Sequence, residues 1–164
     1  MFVKNVQAAS SKLTDMEPGT SFQPVLHDTA TFMKPEAVQR IVLLSGKIYY
    51  DLVKERAARN LESRVALVRI EELAPFPFAA LSRTLAPYAN SNKNLEVMWV
   101  QEEPRNQGSW GHVRERVEDV LKGLDMKGGI TYRGRKEDAV PATGIGKAYV
   151  VQQRAVIESA FEGL

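Results

Sequence analysis

The sequence contains no cysteine. That absence excludes disulfides, thiolate-bound zinc, iron–sulfur clusters and a cysteine nucleophile. Histidine is almost as scarce, and its two copies, His27 and His112, stand far apart with no metal-ligand spacing. A strong charge of one sign is missing too. Lys and Arg number 22 and Asp and Glu number 20, a formal balance of +2. So small an excess gives no electrostatic footprint for nucleic acid or an anionic membrane. Apolar runs reach about five residues, against the roughly 20 that a spanning helix needs. The opening Met1-Phe2-Val3-Lys4-Asn5-Val6 lacks an apolar stretch and is no clear targeting peptide. These absences predict a cytosolic or matrix chain, or a piece of something larger.

What is present is ordinary globular composition. Hydrophobic residues make up 44% and charged residues 26% of 164 positions. That length suits one domain with a core that needs no staples.

Residues 1–38 are the least periodic part. Pro18-Gly19 supplies turn chemistry, and Pro24 and Pro35 interrupt the rest. The segment reads as an extended leader whose Phe22, Val25 and Leu26 lie against a partner. From residue 39 to 164 the pattern becomes that of an α/β domain. Arg40-Ile41-Val42-Leu43-Leu44 and Val65-Ala66-Leu67-Val68-Arg69-Ile70 are short apolar runs, as strands covered on both faces require. Residues 47–60 between them read as a helix with Ile48, Leu52 and Val53 inward, Lys54, Glu55 and Arg56 outward, and Asn60 as its stop. A helical crossover makes the two strands parallel. The theme repeats with a helix over 78–88, a strand over 95–100, a helix from Ser109 as N-cap to about Leu124, a strand over 128–133 and a helix over 147–161. Alternation of this kind predicts a three-layer α/β sandwich with a mostly parallel sheet.

Ligands of such sheets sit beyond the carboxyl ends of the strands. Those ends carry Ser45-Gly46-Lys47, Arg69-Ile70-Glu71-Glu72 and Gln101-Glu102-Glu103-Pro104. Leu44-Ser45-Gly46-Lys47 is not a Walker A loop, because Ile41 and Ile48 stand where that motif needs Gly and Ser or Thr. Gly144-Ile145-Gly146-Lys147 lacks the third glycine of a dinucleotide fingerprint. A lysine beside a helix start still marks an anion seat, with Ser45, Lys47 and Arg69 as its groups. The alternative is that Glu71 or Glu72 pairs with Lys47 and Arg69 and leaves no room. Glu102 and Glu103 are adjacent on an extended segment and point to opposite sides, so they do not make an acid–base pair on one atom. They read instead as structural carboxylates. No catalytic triad is visible.

The residues carry a resemblance. Leu43-Leu44-Ser45-Gly46-Lys47-Ile48-Tyr49-Tyr50-Asp51-Leu52, Val68-Arg69-Ile70-Glu71-Glu72-Leu73-Ala74-Pro75-Phe76-Pro77-Phe78 and Trp99-Val100-Gln101-Glu102-Glu103-Pro104-Arg105-Asn106-Gln107-Gly108-Ser109-Trp110 occur in that order. Tyr132-Arg133-Gly134-Arg135 and Pro141-Ala142-Thr143-Gly144 follow. Together they resemble the C-terminal domain of the first component of the 2-oxoglutarate and 2-oxoadipate dehydrogenase family. The leader Met16-Glu17-Pro18-Gly19-Thr20-Ser21-Phe22-Gln23-Pro24-Val25 is most similar to the 2-oxoadipate branch. The resemblance implies a transketolase-type C-terminal fold. It implies a parent enzyme that decarboxylates a 2-oxo acid on thiamine diphosphate with magnesium, then passes the acyl group to a lipoyl arm. The cofactor site lies between domains that precede this one in the family, so no catalytic residue is carried over to this chain. Implied partners are those thiamine-binding domains, a second copy in a homodimer, and a lipoyl acyltransferase complex. No nucleic acid or membrane is expected. Glu102, Glu103, Asn106, Trp110 and Phe22 are expected at interface or structural positions. Some family members hold a regulatory nucleotide or acyl-CoA, which agrees with the seat at Ser45, Lys47 and Arg69. Two departures stand out: Lys136-Glu137 where the family often has Pro-Pro or Pro-Ser, and Tyr149 where it commonly has histidine. The implied compartment is the mitochondrial matrix in a eukaryote or the cytoplasm in a bacterium. A reading from another class is a stand-alone interaction or nucleotide-binding module with no 2-oxo acid chemistry nearby.

Overall fold

The computed structural model of the protein describes residues 10–28, 30–31 and 34–164. Met1 to Val6 lie outside the described residues. Among the described residues, five strands and four α-helices follow in the order β1 (Val25–Leu26), β2 (Arg40–Leu44), α1 (Ile48–Ala58), β3 (Val65–Ile70), α2 (Phe78–Ser91), β4 (Glu96–Pro104), α3 (Trp110–Gly123), β5 (Ile130–Arg135) and α4 (Gly146–Ser159). Two short 3₁₀ turns among the described residues, Leu13–Met16 and Pro35–Ala37, precede β2. No helix among the described residues is long and apolar enough to cross a membrane.

The sheet order is β1-β3-β2-β4-β5. The four long strands are parallel, as the crossover connections require, and β1 is antiparallel to β3. Every residue of β2 is buried because that strand is central and covered on both faces. Alternation along the strands separates two cores. Ile41, Leu43, Val68, Val97 and Trp99 face α2 and α3, while Val42, Leu44, Leu67, Met98 and Val100 face α1 and α4. This is the three-layer sandwich that the alternating pattern implies.

Several local expectations need correction. The segment read as a leader contributes β1, whose Val25 and Leu26 pair with Ile70 and Arg69. Arg56 does not face outward. It lies on the buried side of α1 with Ile48 and Leu52, one turn apart each. Its guanidinium pairs with the buried carboxylate of Asp28 and donates to the Val65 carbonyl at 2.8 Å. Helix α2 runs past Tyr88 to Ser91 with Pro87 inside it, and β4 continues to Pro104 instead of stopping at Val100. The stop at Asn60 is as read, with φ of 55° in the left-handed region just after the Arg59 cap. Arg40 ties the last helix down, donating to the carbonyls of Ala160 at 2.9 Å and Glu162 at 2.8 Å.

Candidate functional site

The chain leaves β2 toward β3 on one side of the sheet and leaves β4 toward β5 on the other. The carboxyl ends of β2 and β4 are therefore the switch point of the sheet, where open α/β folds place ligands. Lys47 follows β2 and Glu102 lies on β4, and the two form a salt bridge across that point. The network continues outward along α4. Gln153 donates its amide to Glu102 Oε1 at 2.9 Å, and its own oxygen accepts from Arg135 at 3.2 Å. The Arg135 guanidinium stacks 4.8 Å from the ring centre of Tyr149. Burial disfavours the Lys47 ammonium, but the Glu102 carboxylate outweighs it, helped by Tyr149 and Asp51. Together they hold the Lys47 pKa above its ordinary value.

Lys47 and Arg69 have different partners. Arg69 stands 3.7 Å from Glu71 and 4.3 Å from the ring centre of Tyr49. The alternative of acidic partners thus holds for Arg69 with Glu71, whereas Lys47 takes Glu102 from another strand. Ser45 is half-buried just past the end of β2. Arg69 and Glu71 also wall a cavity of about 680 Å³, closed on its other side by Phe22 and residues of the leader.

Gln101 is the centre of the long motif on β4. Its side-chain oxygen accepts from Trp99 Nε1 and from the backbone N–H of Trp110, both at 2.9 Å. Its amide nitrogen donates to the carbonyls of Pro104 at 3.0 Å and Gln107 at 2.8 Å, with a longer contact to Glu103 at 3.3 Å. One side chain thereby closes the 104–109 loop onto the strand and starts α3. Ser109 precedes that helix, but its hydroxyl makes no capping bond. The Gln101 oxygen does that work instead. Trp110, expected at an interface or structural position, is 7% exposed and packs 5.3 Å from Tyr132. Its ring lies in the core, and its backbone N–H is held by Gln101. Asn106 is exposed and exchanges two hydrogen bonds with the backbone of Asp138, at 2.9 and 3.1 Å. Glu102 and Glu103 do point apart: Glu102 is half-buried against Lys47, and Glu103 is exposed. Phe22 is 69% exposed.

Tyr132 closes the other side of the motif. Burial pushes its phenol up to about 12, so the hydroxyl keeps its proton and donates to the Arg135 carbonyl at 2.9 Å. Gly134 runs beneath it. A Cβ at Gly134 would collide with the Tyr132 hydroxyl and lie 2.9 Å from the Gln101 carbonyl. Gly134→Ala is expected to cost roughly 1–3 kcal/mol through overpacking. Urea unfolding checks this, and an unchanged midpoint would show that Tyr132 moves aside freely. Gly108 is needed for a second reason, a φ of +63° where the loop turns against Glu103.

Among the described residues, no group of three or more His, Asp or Glu stands close enough to hold a metal ion. The acidic groups at the switch point are tied to Lys47 and Gln153. The motif residues build a clamp, and the basic residues at the strand ends line a rim.

Comparison with known proteins places this architecture. The family model for the 2-oxoglutarate dehydrogenase C-terminal region matches residues 10–161. The chain is 42% identical over 154 residues to the 2-oxoadipate dehydrogenase complex component E1 of Danio rerio, covering 93% of this chain and 16% of that protein. It is 39% identical over 155 residues to the 2-oxoglutarate dehydrogenase E1 component of Azotobacter vinelandii, covering 94% of this chain and 16% of that protein. A 2-oxoglutarate dehydrogenase-like, mitochondrial protein of Xenopus laevis is 37% identical over 155 residues, covering 94% of this chain and 14% of that protein. The chain thus spans about one-sixth of the length of these curated relatives. With nearly all of its residues matched in every comparison, the chain belongs to the 2-oxoglutarate dehydrogenase C-terminal family.

Proposed function

We propose that this domain assembles and regulates the first component of a 2-oxoglutarate or 2-oxoadipate dehydrogenase and performs no chemistry alone. The observation that carries the reading is the apolar stretch left in water at the start of α4, with Ile145 at 70%, Val150 at 64% and Val151 at 70% exposure, beside a separate exposed Phe22 at 69%. Exposed apolar residues grouped on one segment mark a contact region. In a longer parent it meets the thiamine-binding domains, the second copy of a homodimer, or both. The parent decarboxylates a 2-oxo acid and hands the acyl group to a lipoyl acyltransferase complex. Thiamine diphosphate and magnesium bind in the other domains. The parent's compartment is the mitochondrial matrix in a eukaryote or the cytoplasm in a bacterium. Ser45, Lys47 and Arg69 provide a seat for a regulatory nucleotide or acyl-CoA. An incoming phosphate competes there with Glu102 for Lys47 and with Glu71 for Arg69.

The purified chain, given 2-oxoglutarate or 2-oxoadipate, thiamine diphosphate, magnesium and an electron acceptor, is expected to show no turnover above a boiled control. Added to the thiamine-binding domains of a relative in sedimentation, it is expected to associate, and Phe22→Asp and Val151→Asp to weaken that association. Turnover by the chain, or a strict monomer with no affinity for those domains, overturns the assembly reading. Calorimetry with AMP and acetyl-CoA tests the seat separately: Lys47→Ala and Arg69→Ala should each reduce binding.

A further inference from the structure

We propose that the cleft between the β5–α4 loop and helix α4 binds a small organic anion with an apolar tail. This inference does not rest on the parent reaction or on the seat at the strand ends. The cleft has a volume of about 350 Å³, within the range of roughly 300–1,000 Å³ typical of small-molecule sites. Its lining combines cationic Arg135 and Lys136 with apolar Val140, Ala142, Ala155 and Val156.

Neither cation of the cleft forms a salt bridge to a described residue. Among the described residues, no carboxylate lies within 4.0 Å of the charged nitrogens of Arg135 or Lys136. The Arg135 guanidinium is held in place by Gln153 at 3.2 Å and by the ring of Tyr149. A fixed guanidinium without an ion pair favours a carboxylate or phosphate oxygen, because charge-assisted bonds are strong. Two acidic residues also border the cleft, Glu137 and Asp138. The Asp138 carboxylate accepts from the Val140 N–H at 3.2 Å, and its backbone is tied to Asn106. Asp138 therefore braces the loop.

Octanoate, octanol and octylammonium are matched probes of this pattern. Titrated into the full chain by calorimetry below their aggregation concentrations, octanoate is expected to bind at least tenfold more tightly than either of the others. Lys136→Gln is expected to weaken octanoate about threefold or more, and Glu137→Gln to leave it equal or tighter. Ala155→Phe fills the cleft from an exposed helix position and is expected to abolish binding. Ala142→Phe, from the loop side, is a second filler should the first fail to fold, with circular dichroism as the check. Octyl phosphate in place of octanoate separates a phosphate preference from a carboxylate one. The proposal fails if octanoate does not bind at millimolar concentration, if all three probes bind equally, or if a folded filler variant binds as well as the parent chain.

Discussion

Asp28→Ala is expected to destabilise the chain by about 3–5 kcal/mol, the cost of breaking a buried ion pair from one side. Asp28 is 5% exposed and its partner Arg56 is also 5% exposed. The Asp28 carboxylate serves three groups: it pairs with Arg56, accepts from the Leu67 N–H at 2.9 Å and accepts from the Ala30 N–H at 2.9 Å. Alanine removes all three and strands the Arg56 guanidinium among apolar side chains. At about 2–4 °C per kcal/mol for a domain of this size, the melting temperature should fall by roughly 6–20 °C. The double variant Asp28→Leu with Arg56→Met should recover much of the loss, because no charge is then left buried. Calorimetric melts of the single and double variants separate the effects. A loss below about 1 kcal/mol for Asp28→Ala would mean that the pair is solvated and contributes as a surface bridge does.

Gln101→Leu is expected to be the other severe change. Leucine matches the volume but offers neither acceptor nor donor. The Trp99 indole N–H and the Trp110 N–H then lose their acceptor, and the carbonyls of Pro104 and Gln107 lose their donor. Each buried polar group left unpaired costs about 1–3 kcal/mol, and relaxation of the loop returns part of the sum. A net loss of about 3–5 kcal/mol follows. Gln101→Glu is the informative companion. It keeps the acceptor for both tryptophans but sets a carboxylate against carbonyl oxygens, so it should not rescue stability. Tryptophan fluorescence during urea unfolding reads both variants directly, since Trp99 and Trp110 share the lost acceptor. If Gln101→Glu were as stable as the natural chain, the donor half of the clamp would be unimportant.

Much of the fold was legible because strands buried on both faces are written as unbroken apolar runs. Arg40 to Leu44 and Val65 to Ile70 match β2 and β3 residue for residue. Strand β1 was not legible, because two residues carry no period. The end of β4 was missed for another reason. Glu102-Glu103-Pro104 reads as loop chemistry, yet Pro104 still pairs with Arg135 beyond an irregularity after Val100. Arg56 shows how a true signal is overlooked. Its spacing of four from Leu52 and eight from Ile48 placed it on the inward face, but its charge argued the opposite, and the matching Asp28 lies 28 positions away. At the rim, Lys47 and Arg69 were legible as basic groups near strand ends. Glu71 was legible as a partner for Arg69, but Glu102 was not legible as the partner of Lys47, since it comes from a strand that only the sheet order brings beside Lys47. Gln101 had no sequence signal beyond membership of a long motif, because a neutral amide gives no hint of the carbonyls it will meet.

The short β1 strand has a consequence for how the chain behaves with its own kind. Strand β3 is apolar along almost its whole length and would otherwise present an open flank of N–H and C=O groups. Val25 and Leu26 cover its upper end, and the Asp28 carboxylate takes the Leu67 N–H farther down, doing with a side chain what a longer strand would do with its backbone. The early segment therefore works as a guard rail. A chain cut between Thr31 and Arg40 would lose that rail while keeping most of its core, and its exposed flank would invite the flank of another copy. Aggregation by edge-to-edge pairing, seen as thioflavin fluorescence rising with concentration, is the behaviour to expect from the shortened protein.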